Sequence, residues 1–292
     1  MKLIVSATTD TLDMLLDKAI DGVIFPVRGH AMRYGETFEA NQIEGYVKRA
    51  HAKGKKAYLS MNAIHHEPEL ASLESTFESL SGIPFDALYF ADLAVYEVAG
   101  DYGLVHKLIY YPETYVTSTL DMRFWEEQSV KSAVLSREMT LEDIKVISQE
   151  SQIGVSIIGH GYLNMFHSKR RLIKTFLNHV KRHDAQDTFN KPYTIIEEIR
   201  EEEYPIYQDA FGTHIFREKP LSSVHVFDTL SPLVSDFIID TQFFTPARIE
   251  TIVDDYIRLQ NGEPVDETKY DDHDDGFYFK KTVYRQGGGE AR

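Results

Sequence analysis

Polar side chains that bind anions or transfer protons follow the predicted strands of this chain. Its short apolar runs predict parallel strands, and in a parallel α/β barrel the reacting groups lie at the carboxyl ends of strands. The residues at those positions are Arg28, Arg33, Asn62, Asp92, Ser118, Arg137, Glu138 and His160. Arginines there would hold a carboxylate or phosphate by paired hydrogen bonds, and a carboxylate or imidazole would exchange a proton.

We therefore predict two kinds of site residue. Glu138 and His160 are predicted to be catalytic. The others are predicted to bind substrate, namely Arg28, Arg33, Asn62, Asp92, Ser118 and Arg137. A structural interpretation stays open, in which Arg137 and Glu138 pair with each other or cap loops.

Other catalytic signatures are absent from the sequence. Two pairs of histidines are candidate metal ligands, His65 with His66 and His160 with His167. Adjacent residues point to different sides, and a spacing of seven brings side chains together only within one helix, so we predict no metal site. The chain contains neither a GxSxG nucleophile elbow nor an HExxH zinc motif, and so offers no independent hydrolase signature.

Composition limits the possible chemistry. The 292 residues include no cysteine, which excludes thiol catalysis, disulfides and thiolate-ligated zinc or iron-sulfur sites in this sequence. The 46 acidic and 31 basic residues give a net charge of -15, so any RNA contact would be local to a basic patch. The start, MKLIVSATTD, reads as neither a signal peptide nor a membrane span, which predicts a cytoplasmic protein with no membrane partner.

One basic segment stands out against this acidic background. Between Ser168 and His183 the chain has no acidic residue and six basic ones, namely Lys169, Arg170, Arg171, Lys174, Lys181 and Arg182. The pattern predicts a strand at Val155–Ile158, a break at Gly159–Gly161 and then a helix. Its predicted buried stripe is Leu172, Ile173, Phe176, Leu177 and Val180. The basic face would contact RNA phosphates or an acidic partner protein, or would pair with the acidic tail of the same molecule.

Short β-rich runs alternate with amphipathic segments, such as the helices predicted at residues 41–53 and 140–149, which indicates repeated βα units. The first strand is not followed by a GxGxxG turn, so we predict a (β/α)8 TIM-barrel-like fold rather than an open sheet. Residues 1–262 are assigned to the barrel. Residues 263–292 are assigned to an acidic linker and a C-terminal aromatic segment.

The pattern changes after residue 184. Residues 193–199 and 214–217 are predicted to be extended, as a possible hairpin, and 222–230 to be helical. A strand at 237–240 and a helix at 246–259 would close the barrel. The acidic tail, 263–275, is predicted to be mobile or to cover a basic surface. Residues 277–284 would add an edge strand or dock on the barrel, and the final GGGEAR is predicted to be disordered.

Several stretches resemble peptidase family U32, the bacterial collagenase-like proteases, over nearly the whole chain. They are HAKGKKAYLSMNAI (51–64), FDALYFADLAVYEV (85–98), AVLSREMTLEDIKVI (133–147), FGTHIFREKPL (211–221) and GFYFKKTVY (276–284). The family's HGxL motif is kept as HGYL at 160–163. The resemblance implies a (β/α)8-like barrel.

The resemblance also implies where an iron-sulfur cluster would be held. Asn164 and Arg171 stand where the family has its first two cysteines, and the later cysteines, near residues 187–190 and at Ser222, are missing too. Members that keep four cysteines hold a cluster and take part in oxygen-independent hydroxylations. This chain resembles the short cysteine-free member that accompanies a cysteine-bearing paralogue in tRNA 5-hydroxyuridine formation.

These observations lead to three hypotheses. The first is a non-cluster partner subunit in tRNA wobble uridine 5-hydroxylation, with mouth arginines holding a small anion and the basic helix meeting tRNA or the paralogue. The second is a U32-type protease, against which stands the lack of a recognisable nucleophile. The third is a small-anion-binding barrel without catalysis.

Overall fold

A computed structural model describes residues 1–182, 188–197 and 201–280 of the chain. Seven parallel strands come first. They are β1 (Lys2–Ser6), β2 (Gly22–Pro26), β3 (Lys56–Met61), β4 (Ala87–Phe90), β5 (Leu108–Tyr110), β6 (Ser132–Val134) and β7 (Gly154–Gly161). Each pairs in parallel with the next.

Four antiparallel strands are inserted before the barrel closes. They are β8 (Asn164–Ser168), β9 (Pro192–Glu197), β10 (Glu202–Asp209) and β11 (Gly212–Phe216), in the order β8-β11-β10-β9. A short strand, β12 (Leu221–Ser222), then pairs with β7, and β13 (Asp236–Ile239) pairs in parallel with both β7 and β1. Eight parallel strands thus close into a barrel, which confirms the predicted fold class.

Helices cover the outside of the barrel. The helices are α1 (Thr9–Asp17), α2 (Ala40–Ala52), α3 (Leu70–Leu80), α4 (Leu93–Asp101), α5 (Thr119–Glu127), α6 (Leu141–Glu150), α7 (Leu172–His179), α8 (Phe227–Leu230) and α9 (Pro246–Gln260). Of these, α7 lies against the inserted sheet instead of the barrel, since the Leu172 N–H donates to Thr213 Oγ1 at 2.9 Å. Along each barrel strand the side chains alternate, one pointing outward to the helices and the next pointing into the barrel. The interior is filled by a compact set that includes Tyr58, Tyr89 and Tyr111, so the barrel is a packed core. Among the described residues, no helix is long and apolar enough to span a membrane.

The basic segment folds differently from the prediction. Residues 164–168 form β8 instead of a helix, because they pair with β11, as in His167 with His214. The helix α7 has only eight residues. Of its predicted buried stripe only Ile173 is buried, while Phe176 is 63% exposed and Val180 43% exposed. The prediction of a long helix with a fully buried apolar face was therefore wrong.

Residues 263–280, which we call the strap, pack against the closing part of the barrel. Tyr270 and Tyr278 are buried, and the Tyr278 hydroxyl lies 2.7 Å from Ser223 Oγ. Lys269 Nζ lies 3.0 Å from the Asp255 carboxylate on α9. The described residues 277–280 therefore dock on the barrel, as one of the two alternatives predicted for 277–284 had it, and residue Asp274 of the strap makes a bridge to Leu221 of β12. Residues 183–187, 198–200 and 281–292 lie outside the described residues. They include parts of the segment 193–199 predicted to be extended and of the aromatic segment 277–284, and all of the final GGGEAR predicted to be disordered.

The 222–230 segment is also less regular than predicted. Ser222 belongs to β12, a 3-10 turn covers Val224–Val226, and only Phe227–Leu230 is α-helical. The inserted sheet lies within the range assigned to the barrel, 1–262.

A bulge in β7 changes which way its last residues point. Ile158 pairs with Ile238 inside the barrel, but the next residue of β13, Ile239, pairs with His160. Gly159 is the extra residue. A Cβ atom at Gly159 would overlap the Phe237 ring. Only glycine therefore fits, and His160 is turned to the outer side of the sheet, where Ile239 also lies.

We expect Gly159→Ala to lower the free energy of unfolding by about 1–3 kcal/mol, because the added methyl group must displace a packed ring. The matched control is Gly45→Ala, on the exposed side of α2, where a Cβ meets nothing within 4 Å. Alanine there should stabilise the helix by about 0.5–1 kcal/mol. Urea unfolding followed by circular dichroism measures both changes, and an unchanged midpoint for Gly159→Ala would contradict the bulge geometry.

Candidate functional site

A small polar cavity lies at the mouth of the barrel, where the carboxyl ends of the strands meet. Its polar lining is Arg33, Tyr34, Asn62, Tyr111, Glu113, Arg137, Tyr162, Asn164 and Asp240. These side chains leave a free volume of only about 10 Å³. Three residues predicted to bind substrate, Arg33, Asn62 and Arg137, are therefore brought together here.

Two of those arginines share one carboxylate. Arg137 Nη1 lies 2.9 Å from Glu113 Oε2, and Arg33 Nη2 pairs with Glu113 Oε1. The side chains of Arg33, Glu113 and Arg137 are 7%, 11% and 9% exposed, so the cluster is nearly dry. Arg137 thus pairs with Glu113 and not with Glu138, which excludes one of the structural alternatives. Glu113 was not predicted as a site residue, and its only signal in the sequence is its place shortly after β5.

The backbone at this cluster is strained. Arg33 and Glu113 both have φ of 68°, in the left-handed region that non-glycine residues seldom adopt. The Arg33 N–H donates to Asp209 Oδ2 at 2.9 Å, which anchors this conformation to the end of β10. Strained residues of this kind persist where surrounding contacts fix them and cluster at functional sites. The inserted sheet therefore helps to hold an arginine of the mouth.

Asp240 follows β13 and also lines the mouth. Burial raises the pKa of its carboxyl to about 6, against a hydrogen bond from the Gln242 N–H that favours the ionised form. Ionised Glu113 raises this pKa further and Arg33 lowers it. Sequence analysis placed Asp240 inside the last strand and missed it, although the rule that found the other mouth residues, a polar group just after a strand, would have included it.

Two further polar groups complete the mouth. Asn62 is 1% exposed, and its Oδ1 accepts a hydrogen bond from the Met32 N–H at 3.1 Å. The Tyr34 hydroxyl donates to Ser60 Oγ at 3.1 Å, and burial raises the pKa of Tyr34. Tyr34 therefore stays protonated at neutral pH and can offer only a neutral hydroxyl.

Three residues predicted to bind substrate do not join this cluster. Arg28 is exposed and pairs with Glu39 at 3.1 Å. Asp92 caps α4 by accepting from the Ala94 N–H at 2.8 Å, and Ser118 caps α5. Their contacts are those of a surface ion pair and two helix caps.

His160 does not lie at the mouth, which corrects its predicted position. Because of the bulge it is fully buried on the outer side of β7, in ring contact with Phe244, Tyr256, Tyr270 and His273. Its Nδ1 lies 3.1 Å from the Tyr256 hydroxyl, and its Nε2 has no partner in the described structure. Burial holds the pKa of His160 well below its usual value. A neutral imidazole under the strap cannot exchange protons with a ligand in the mouth.

Glu138 lies outside the mouth, on a larger open cavity of about 420 Å³. Arg137, Glu138, Tyr204, Arg217, Lys219 and Phe277 are among the residues that line it. Arg137 borders both this outer cavity and the mouth. Glu138 is exposed there, and its catalytic role stays a prediction.

The basic segment is partly engaged. Lys169 Nζ lies 3.1 Å from Glu69 Oε2, and the Arg171 guanidinium lies over the Phe189 ring at 4.7 Å. In the described structure Arg170, Lys174 and Lys181 are exposed and make no ion pair. The strap's carboxylates pair elsewhere, with Arg217, His225 and Arg248. Pairing between the basic helix and the acidic tail is thus not seen among the described residues.

The positions where the resemblance implies cluster ligands hold side chains of the wrong chemistry. Iron-sulfur clusters are bound by thiolates. The Asn164 amide donates to the Phe166 and Ile215 carbonyl oxygens at 3.1 and 3.2 Å, Arg171 is a cation, and Ser222 is a buried hydroxyl. These three residues do not fit such a cluster. The described part of the chain also contains no group of three histidine, aspartate or glutamate side chains placed to hold a metal ion.

Comparison with known proteins gives the family. The model of peptidase family U32 matches residues 7–275. The chain belongs to peptidase family U32. A solved U32 peptidase, Mk0906, superposes with a TM-score of 0.52 at 17% identity, covering 82% of this chain and 92% of that one, which supports the barrel fold.

Sequence relatives of this chain carry more than one kind of name. The tRNA hydroxylation protein P2 of Bacillus subtilis is 26% identical over 96% of this U32 chain and 97% of its own length. The uncharacterized protease MJ0090 of Methanocaldococcus jannaschii is 25% identical over 92% of this chain and 70% of its own. The tRNA hydroxylation protein P of Escherichia coli is 24% identical over 66% of this chain and 42% of its own.

We predict that Glu113→Ala lowers the free energy of unfolding by about 3–5 kcal/mol, because it removes the carboxylate that both buried guanidinium groups contact directly. Glu39→Ala is the matched control, since it removes the partner of exposed Arg28 and should cost only about 0–1 kcal/mol. Urea unfolding followed by Trp125 fluorescence measures both. Equal losses of unfolding free energy in the two variants would contradict the prediction, because they would mean that water screens the mouth cluster as it screens a surface ion pair.

A second prediction concerns pH. The folded pKa of Asp240, about 6, lies above the ordinary aspartate value of 3.8, so the native state favours the protonated form. The protonated Asp240 carboxyl therefore contributes its full stabilisation to the native state below pH 3.8, and this stabilisation is lost as the pH rises through 6. Asp240→Asn should therefore be more stable than wild type at pH 8 by on the order of 1–2 kcal/mol, after allowance for partial exposure, with the gap closing near pH 4. Parallel stability curves for the two proteins from pH 4 to 8 would contradict this.

Proposed function

We propose that this U32 protein acts in the 5-hydroxylation of tRNA uridine, as the subunit that carries no iron-sulfur cluster. The observation that carries the proposal is the end-to-end match to the tRNA hydroxylation protein P2 of Bacillus subtilis, over 96% of this chain and 97% of that one. Relatives named tRNA hydroxylation protein P occur in Escherichia coli, Haemophilus influenzae and Helicobacter pylori. Because tRNA is the proposed substrate, the proposed location is the cytoplasm.

The mouth supplies the chemistry that we assign to this chain. Arg33 and Arg137 share one carboxylate, Glu113, and the second positive charge is balanced only while Asp240 is ionised, so an anion in the mouth would be favoured together with a protonated Asp240. Guanidinium groups bind carboxylates and phosphates well. We assign Arg33, Asn62 and Arg137 to a small anionic ligand. Since the mouth is nearly filled, the ligand must displace a side chain, and Arg137, at the border with the outer cavity, is placed to move.

The chain lacks its own redox group in this proposal, so it needs a partner. We propose a cysteine-bearing U32 paralogue, which would supply the cluster chemistry. Exposed Arg170, Lys174 and Lys181 give a local positive surface in a chain of net charge -15, suited to tRNA phosphates or to that paralogue. Lys169 and Arg171 are already engaged in the fold, and so are weaker candidates for this contact than sequence analysis implied.

Proteolysis is the second candidate, favoured by the family name and by the relative named as a protease in Methanocaldococcus jannaschii. A serine-type mechanism needs a hydroxyl nucleophile next to a histidine base. In the described structure the histidines that hydrogen-bond a hydroxyl are His30, with Thr76, and His160, with Tyr256. Both rings are buried, at 2% and 0% exposed. Neither pair is placed to attack a peptide bond, so we rank this candidate second.

The test is nucleoside mass spectrometry of tRNA from a strain that lacks the gene, complemented with variants. We expect loss of 5-hydroxyuridine in the deletion, recovery with the wild-type gene, and at least about a tenfold deficit with Arg137→Gln, because its paired hydrogen bonds to an anion are lost. Arg28→Gln, an exposed arginine outside the mouth, is the control and should restore the modification. Unchanged 5-hydroxyuridine in the deletion strain would sink the proposal, and cleavage of casein by the purified protein would favour the protease.

A further inference from the structure

The ionisable groups at the centre of the mouth balance in charge. The guanidinium groups of Arg33 and Arg137 stand against the carboxyl groups of Glu113 and Asp240, and all four side chains line one cavity. With both carboxyls ionised the sum is zero, so an anion that enters adds one uncompensated negative charge. Water cannot offset that charge, because the lining leaves a free volume of only about 10 Å³. The mouth must therefore take up a proton when it accepts an anion.

The two carboxyl groups differ in their contacts. Glu113 contacts both guanidinium groups directly, and its protonation would weaken both ion pairs. Asp240 accepts one hydrogen bond, from the Gln242 N–H at 3.0 Å, and in the described structure no arginine or lysine lies within ion-pair distance of it. Burial raises the pKa of Asp240 to about 6, in keeping with these contacts. Of the two carboxyls, Asp240 is the one that takes up the proton at the lower cost.

The other titratable groups around Asp240 cannot replace it. Burial raises the pKa of each of the three tyrosines that line the mouth, Tyr34, Tyr111 and Tyr162, so these hydroxyls already hold their protons at neutral pH. Asp209 lies beside the mouth. It accepts hydrogen bonds from two backbone N–H groups at 2.9 and 2.8 Å and lies 3.0 Å from His214 Nε2, contacts that favour its ionised form.

We propose that Asp240 is a ligand-binding residue of the mouth, which takes up a proton when an anion binds and donates it in a hydrogen bond to that anion. A carboxylic acid that donates to an anion forms one of the stronger hydrogen bonds. The proton comes from the solvent and stays on Asp240, so no bond of the ligand is broken. This inference rests on the assignment of an anion to the mouth in the proposed function.

The charge balance also limits the ligand. One proton on Asp240 offsets one negative charge, and the mouth has no second group that takes up a proton for a dianion. The group that enters the mouth therefore carries a single charge, as a carboxylate does and a fully ionised phosphate monoester does not. The ligand class that we assign to Arg33, Arg137 and Asp240 is a carboxylate.

Titration with formate, followed by nuclear magnetic resonance of the full-length protein, tests this assignment. Formate is the smallest carboxylate and stays ionised from pH 5 to 8. We expect its dissociation constant to be nearly constant below pH 6 and to rise at least about tenfold between pH 6 and 8, because ionised Asp240 must then be protonated on binding. Asp240→Asn, which is neutral at every pH and still donates a hydrogen bond, should bind formate equally well at both.

Two further variants control the experiment. Glu39→Gln removes an exposed carboxylate outside the mouth and should keep the pH dependence of the wild type. Arg137→Gln should weaken formate binding at least about tenfold at pH 5, which locates the probe in the mouth. Circular dichroism checks that each variant is folded.

Several results would overturn the proposal. They are a wild-type dissociation constant that does not change with pH, an Asp240→Asn variant that keeps the wild-type dependence, an Arg137→Gln variant that binds formate normally, and a wild type that binds no formate at pH 5. The 5-hydroxyuridine measurement is separate. A pH-dependent mouth in a chain whose deletion leaves 5-hydroxyuridine unchanged would contradict the proposed function alone, and the reverse pair of results would contradict only the role of Asp240.

Discussion

The sharing of the Glu113 carboxylate by Arg33 and Arg137 is the interaction on which the mouth of this barrel depends. The three side chains come from loops after three different strands, and each is nearly buried. A buried charge is tolerated only when it is paired. If one of the three loops moved away, the charged side chains on the others would be left buried and unpaired, which would destabilise the protein. The cluster carries one positive charge in excess. Asp240, whose pKa lies near 6, offsets it only when ionised. The net charge of the mouth therefore changes as the pH passes through about 6.

The inserted sheet is part of this arrangement rather than an appendage. Asp209, at the end of β10, accepts from the Arg33 N–H and also lies 3.0 Å from His214 Nε2. The Tyr207 hydroxyl of the same strand donates to the Tyr34 carbonyl oxygen at 3.1 Å. Contacts from one strand of the insert thus fix two neighbouring residues of the mouth. A partner or substrate that moved the insert would move Arg33 directly.

Much of the fold was predictable from sequence because βα alternation is a local signal. The closing helix, predicted over 246–259, is α9, and the predicted barrel is closed. Long-range pairing was not predictable, which is why β8 was expected to be helical. Its partner β11 lies more than forty residues further on. At the mouth, Arg33, Asn62 and Arg137 were found by their place after strands. Glu113 and Asp240 were not predicted. His160 was placed at the mouth by mistake, because no pattern in the sequence shows that the in-out alternation of β7 side chains is broken at Gly159.

Arg137 belongs to two compartments, the filled mouth and the open outer cavity. Its guanidinium is 9% exposed, so the water that still reaches it does so from few directions. Under the proposed function a ligand enters the mouth only when Arg137 swings towards the outer cavity, and a molecule already held there would stand in its way. By thermodynamic reciprocity an anion in the mouth would disfavour occupancy of the outer cavity to the same degree. The two compartments would then exclude each other, because one side chain forms part of both walls.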